Sequence, residues 1–181
     1  MEKGKEYLIP VSGMAIGQHS YHFVIDDAFF AQFDYSEVKQ GRVALDLDVE
    51  REESMMALEF SFKGEVLVPC DRCADDFYIP IEGRNAFIVK TGVEEPADAD
   101  DEDVAYLPAE QGYFDVSSLI YEYIILSIPM HRVHPDGQCN PKVMELLNQK
   151  VETEVETNND TDPRWEALKN LNLEEDNKEN K

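Results

Sequence analysis

The chain is poor in positive charge, with 16 lysines and arginines against 39 aspartates and glutamates, a formal net charge of −23 over 181 residues. A balance that acidic repels a bare phosphate backbone at long range, so any nucleic-acid contact needs a local basic patch or a protein intermediary. Cysteine is scarce too. Three thiols, an odd number, do not make a disulfide framework, and together with the lack of an export signal they point to a reducing cytoplasm. The apolar run Tyr7-Leu8-Ile9-Pro10-Val11 is too short for a signal peptide, and no stretch reaches the length of a membrane span. No glycine-rich phosphate loop, G-x-S-x-G or H-E-x-x-H motif occurs, and the carboxylates fall on solvent faces or in acidic runs. No enzyme is expected.

What is present is apolar content of 43%, enough for one full core. Gln18 to Ile25 alternates with the period of a strand and puts His19 and His22 on opposite faces, so the two cannot clip one metal. Asp26 or Asp27 offers a cap to a short helix carrying Phe29, Phe30 and Phe33. Val43, Leu45, Leu47 and Val49 form the clearest strand, followed by Met55 to Phe62, a turn at Lys63-Gly64, and Glu65 to Val68. Phe77, Ile79 and Ile81 then alternate up to Gly83, and Ala86 to Val89 form a further run before Gly92. Asp115 caps an amphipathic helix of Val116, Leu119, Ile120, Tyr123, Ile124 and Ile128, ended by Pro129. Asn140-Pro141 opens another helix.

These patterns describe an α+β fold, an antiparallel β meander or partly closed barrel packed by one or two amphipathic helices. Residues 1–150 form the expected domain, with a mobile acidic loop at 94–103. Residues 151–181 form an acidic flexible tail with a short docking helix at Asp162-Pro163-Arg164-Trp165.

The chemistry concentrates in Cys70-Asp71-Arg72-Cys73, a C-x-x-C turn between two strands. A thioredoxin-like redox pair needs its first cysteine at a helix N-terminus, a context absent here. A zinc knuckle puts both sulfurs on one ion and needs two more ligands. His134 and Cys139 supply that second pair, with His131 as an alternate, in a loop that Pro135 and Gly137 turn tightly. The cofactor this set allows is one zinc ion; the other reading is three reduced, buried thiols.

Several stretches in order resemble the YceD family of large ribosomal RNA subunit accumulation proteins. They are Gly17 to Phe23 leading into Asp26 to Phe30, Gly64 to Cys73, Ser127-Ile128-Pro129, His134 to Asn140, and Asp162 to Leu168. Many relatives carry a second cysteine cluster where this chain has His131, His134 and Cys139. The resemblance implies a non-enzymatic cytoplasmic factor for synthesis, processing or stability of large-subunit (23S) ribosomal RNA. Its partners would be precursor or mature rRNA or the nascent large subunit. Contacts are then expected from Arg72, Arg132, Lys142, Arg164 and Trp165, because arginine pairs with phosphate and tryptophan stacks on unpaired bases. Two rival functions are an acidic binding module or chaperone for basic ribosomal proteins, and a zinc-stapled scaffold without direct RNA contact.

Overall fold

In a computed structural model, residues 5–93, 96 and 103–152 are described. The chain divides into two compact units, Met1–Asn140 and Pro141–Lys181. The first unit is α+β. Its centre is a five-stranded sheet in the order β2-β3-β4-β5-β6, formed by β2 (Gly17–Ile25), β3 (Gly41–Arg51), β4 (Met55–Pro69), β5 (Asp76–Thr91) and β6 (Val104–Leu107). β2 to β5 make an antiparallel meander, and β6 joins parallel to β5. A two-stranded ribbon pairs β1 (Leu8–Pro10) with β7 (Tyr113–Asp115). Helix α1 (Asp27–Phe30) follows β2, and α2 (Ser117–Leu126) follows β7. In the second unit, α3 (Pro141–Glu152) starts with proline at its first position, where the missing N–H is harmless.

The sheet is open, not a partly closed barrel, since among the described residues β2 and β6 end the order without pairing to each other. One face is buried. Leu45, Leu47, Met56, Leu58 and Phe60 point inward from β3 and β4 and are almost fully enclosed, while Asp46, Asp48, Glu50 and Glu59 point outward. Full burial of each such apolar side chain stabilises the fold by roughly 1.5–3 kcal/mol. Ile120 and Ile124 of α2 close this core together with Val116, and the Phe60 and Tyr123 rings meet at 5.2 Å.

Asp26 caps α1 through its carboxylate, which accepts from the Ala28 and Phe29 N–H groups. Asp115 stands one residue before the N-cap position of α2, which Val116 occupies, and its carboxylate accepts from the Ser117 N–H at 2.9 Å.

The turn expected at Lys63-Gly64 and the break expected at Gly83 are absent, because β4 and β5 run straight through them. Gly64 lies inside β4, and a Cβ there would stand 2.1 Å from the Arg42 carbonyl oxygen. Gly83 lies inside β5 under the Phe62 ring, 2.5 Å from where a Cβ would be. Each glycine serves close approach, not chain reversal. The true reversal between β4 and β5 is the C-x-x-C turn, so two long strands deliver it to one end of the sheet. The acidic stretch 94–103 falls almost wholly outside the described residues. The segment 153–181, with the expected Asp162-Pro163-Arg164-Trp165 helix, lies outside them entirely. No helix among the described residues is long and apolar enough to cross a membrane.

Candidate metal centre

The register of β4 on β5 runs without a break to Pro69 opposite Asp76, leaving only residues 70–75 to turn the chain. That turn is tied internally. The Ala74 N–H donates to the Cys70 carbonyl at 2.9 Å and the Cys70 N–H donates to the Asp75 carbonyl at 3.0 Å. Closing so tightly puts Ala74 at φ 61°, in the left-handed region.

After α2 the chain returns to this turn through residues 127–140. Asp71 and Arg132 clasp the two loops: the Asp71 N–H donates to the Arg132 carbonyl at 2.7 Å, and the Arg132 N–H donates to the Asp71 carboxylate at 2.7 Å. The Arg132 guanidinium adds an ion pair with the same carboxylate at 3.3 Å. Further along, the Asn140 amide donates to the Asp75 carboxylate at 3.0 Å, and the His134 ring lies 4.4 Å from that of Phe77. Between clasp and amide, Gln138 turns back onto the Pro135 carbonyl and Gly137 takes φ 80°.

The result is a cluster of Cys70, Cys73, His134 and Cys139, whose ligand atoms all lie within 4.8 Å of one another. The three cysteines are free and buried. Cys70 Sγ stands 4.0 Å from Cys139 Sγ, and Cys73 Sγ stands 3.5 Å from His134 Nδ1. In a regular tetrahedron with Zn–S of about 2.3 Å and Zn–N of about 2.0–2.1 Å, neighbouring donors sit about 3.5–3.8 Å apart. The donor set is that of a Cys3His centre, and separations of 3.5 and 4.0 Å inside a cluster bounded at 4.8 Å are compatible with one zinc ion. His131, the alternate ligand, is not in the cluster.

The protons in the cluster are unevenly held. Burial works against ionisation of Cys70, but hydrogen bonds from the backbone of His134, Arg72 and Cys73 outweigh it and draw the thiol down to about 6. Burial pushes the Cys139 thiol up, and its contacts with Cys70 and Cys73 push the same way. Thiols crowded together resist joint ionisation, and a divalent cation is what removes that resistance.

The expected contact residues fall in different settings. Arg72 is exposed on the turn; its backbone N–H reaches Cys70 Sγ at 3.4 Å and its guanidinium reaches Cys139 Sγ at 3.9 Å. Arg132 is committed to Asp71 and borders a groove of about 290 Å³ that also contains Tyr35, Pro69, Tyr121 and Met130. Lys142 belongs to the second unit, in α3. Arg164 and Trp165 lie outside the described residues. Asp71, Asp75 and Phe77 hold the loops together, yet in sequence they resemble ordinary turn and strand residues. Only the reach of more than sixty positions between Asp71 and Arg132 reveals the clasp, and no local pattern encodes it.

A family model described as "Large ribosomal RNA subunit accumulation protein YceD" matches residues 58–172, a span containing all four clustered side chains. The uncharacterized protein YlbN of Bacillus subtilis (strain 168) is 27% identical over 146 residues, covering 79% of this chain and 80% of its own. No solved structure gives a significant match.

Proposed function

The chain belongs to the YceD family of large ribosomal RNA subunit accumulation proteins, and from that membership we propose that it is a cytoplasmic, non-enzymatic factor supporting synthesis, processing or stability of 23S ribosomal RNA. The observation that carries the reading is the family match over residues 58–172. In this proposal Cys70, Cys73, His134 and Cys139 hold one zinc ion, which staples the two loops and fixes Arg72 and Arg132 at one end of the sheet. Structural zinc sites of this kind contribute folding energy directly and need no open coordination position.

Local chemistry supports contact at that end. Tyr35 is 75% exposed and packs edge-on against Tyr121 at 5.5 Å, offering an aromatic surface beside Arg132. Aromatic faces stack on unpaired bases and arginines pair with phosphate. Overall charge opposes this contact, so binding to free RNA is expected to be weak and to fall steeply with salt.

Depletion of the protein in cells, with the ratio of 23S to 16S rRNA and the profile of ribosomal subunits as readouts, tests the role. The ratio should fall and be restored by the intact chain. An unchanged ratio on full depletion contradicts the proposal. Crosslinking in cells then locates the contact: adducts at the Arg72–Arg132 end support direct binding.

The charge of −23 favours a second reading, a binding module for basic ribosomal proteins. It requires that deleting the acidic runs 94–103 and 152–160 abolish pulldown of those proteins. Pulldown that survives both deletions, with RNA crosslinks lost in Arg72→Ala, rules it out.

A further inference from the structure

Separated by β3 from β4, the strand that leads into the cysteine cluster, β2 forms an edge of the sheet and no described strand pairs along its outer side. Edge strands in soluble proteins are usually blunted by charge, proline, bulges or brevity, because their unpaired N–H and C=O groups template another strand. β2 has none of these protections. Its nine residues, Gly-Gln-His-Ser-Tyr-His-Phe-Val-Ile, include no Asp, Glu, Lys, Arg or Pro. It pairs with β3 in unbroken register from Gly17 opposite Arg51 to Ile25 opposite Val43. The opposite edge is made by β6, only four residues long, and by the part of β5 before Ile88, which carries Asp76, Pro80, Glu82 and Arg84.

Two side-chain rows flank this open edge. On the inner face Tyr21 and Phe23 are half-buried, with their rings stacked 6.4 Å apart, so part of each is left for a neighbour to cover. On the outer face Ser20 and His22 reach back to Asp48 and Asp46, at 2.6 and 2.5 Å, and Glu50 and Glu59 extend the acidic row behind them. A strand added to β2 would lie about 4.8 Å from it and about 10 Å from β3, within reach of long basic side chains.

We propose that β2 is a docking edge for an extended basic polypeptide segment that adds as a sixth strand. Apolar residues of that segment cover Tyr21 and Phe23, and alternate lysines or arginines face Asp46 and Asp48. Backbone pairing supplies the attraction and alternation supplies the selectivity. A second copy of this chain is the poorer occupant, because each copy carries a charge of −23. This edge shares its partner class with the second reading above but uses neither acidic run 94–103 nor 152–160, and it is independent of the rRNA reading and of the metal centre.

The test uses the full chain with a synthetic nine-residue peptide alternating lysine and valine, a Lys-Pro peptide of equal charge, and amide hydrogen exchange as readout. The Lys-Val peptide should slow exchange at alternate amides between Gln18 and Val24, while the Lys-Pro peptide, in which every second residue lacks an N–H and proline bars a regular paired strand, should not. The variant Ser20→Lys with His22→Lys, both exposed positions, should bind about tenfold more weakly with its melting point retained. Equal binding of both peptides would show charge attraction alone and overturn the proposal. So would slow exchange at those amides before any peptide is added, with a monomer showing the chain's own segment on the edge and a dimer showing a second copy.

Discussion

Ala74→Gly should stabilise the protein, although it removes a methyl group and adds no contact. Ala74 sits at φ 61° immediately after the second cysteine, and its side chain is exposed, so truncation forfeits no packing. An L residue in the left-handed region suffers Cβ–carbonyl crowding of roughly 1–2 kcal/mol, from which glycine is exempt. The conformation cannot relax. The hydrogen bonds from Ala74 to Cys70 and from Cys70 to Asp75 lock it from both sides, and opening them would move Cys73 out of the cluster. Against that gain stands the greater freedom of glycine in the unfolded chain, roughly 0.5–1 kcal/mol. The balance is a stabilisation of about 0.5–1 kcal/mol, or about 1–4 °C in melting temperature for a chain of this size. Thermal melts and urea midpoints at fixed pH, with metal content unchanged, measure it. Ala74→Val should shift both in the opposite direction, because a β-branched side chain fits that conformation worse. A glycine variant that melts lower than the native chain, or a valine variant that melts with it, refutes the reasoning.

Other outcomes follow from the same geometry. Gly64→Ala forces a Cβ against the Arg42 and Val43 backbone and should cost roughly 3 kcal/mol or more, whereas Gly83→Ala meets only the Phe62 ring and should cost roughly 1–3 kcal/mol; equal urea midpoints contradict this. Burial, helped by the charges of Glu6 and Asp26, pushes Tyr7 up to about 12. The folded chain therefore holds that proton more tightly than the unfolded chain, so the contribution is complete below pH 10. It is lost as pH rises towards 12, by up to roughly 2–3 kcal/mol. Urea titrations from pH 9 to 12 should show a shallower decline in Tyr7→Phe, and an identical slope opposes the assignment. Asp71→Ala removes the acceptor for two Arg132 donors. It should cost about 1 kcal/mol and speed amide exchange in residues 131–139, with Asp71→Asn milder because it keeps an acceptor oxygen.

Periodicity made the sheet legible. The inward rows of β3 and β4 alternate cleanly because burial of one face imposes a two-residue period, and Asp26 caps α1 because its carboxylate accepts the helix's orphan N–H groups. It failed at Gly64, read as a turn, and at Gly83, read as the end of a run, since a glycine admitting a carbonyl or an aromatic ring looks identical in sequence to one that breaks a strand. It also gave no hint that β6 joins parallel or that β1 and β7 form a separate ribbon, as both depend on long-range pairing. At the cluster, C-x-x-C marked one half by spacing alone, and the histidine-cysteine loop was named as its complement. The structure brings Cys70, Cys73, His134 and Cys139 together and leaves His131 aside. In the fold Arg132 takes up the Asp71 carboxylate, and backbone N–H groups act on Cys70.

A zinc ion joining the two loops is the proposal's central structural claim. The most direct measurement is zinc content and zinc-edge X-ray absorption of protein purified without added metal. The account predicts about one zinc per chain, bound by three sulfurs at about 2.3 Å and one nitrogen at about 2.0–2.1 Å, with occupancy lost in Cys139→Ala. Metal-free protein with three reactive thiols, and a melting point indifferent to both chelator and zinc, would contradict it.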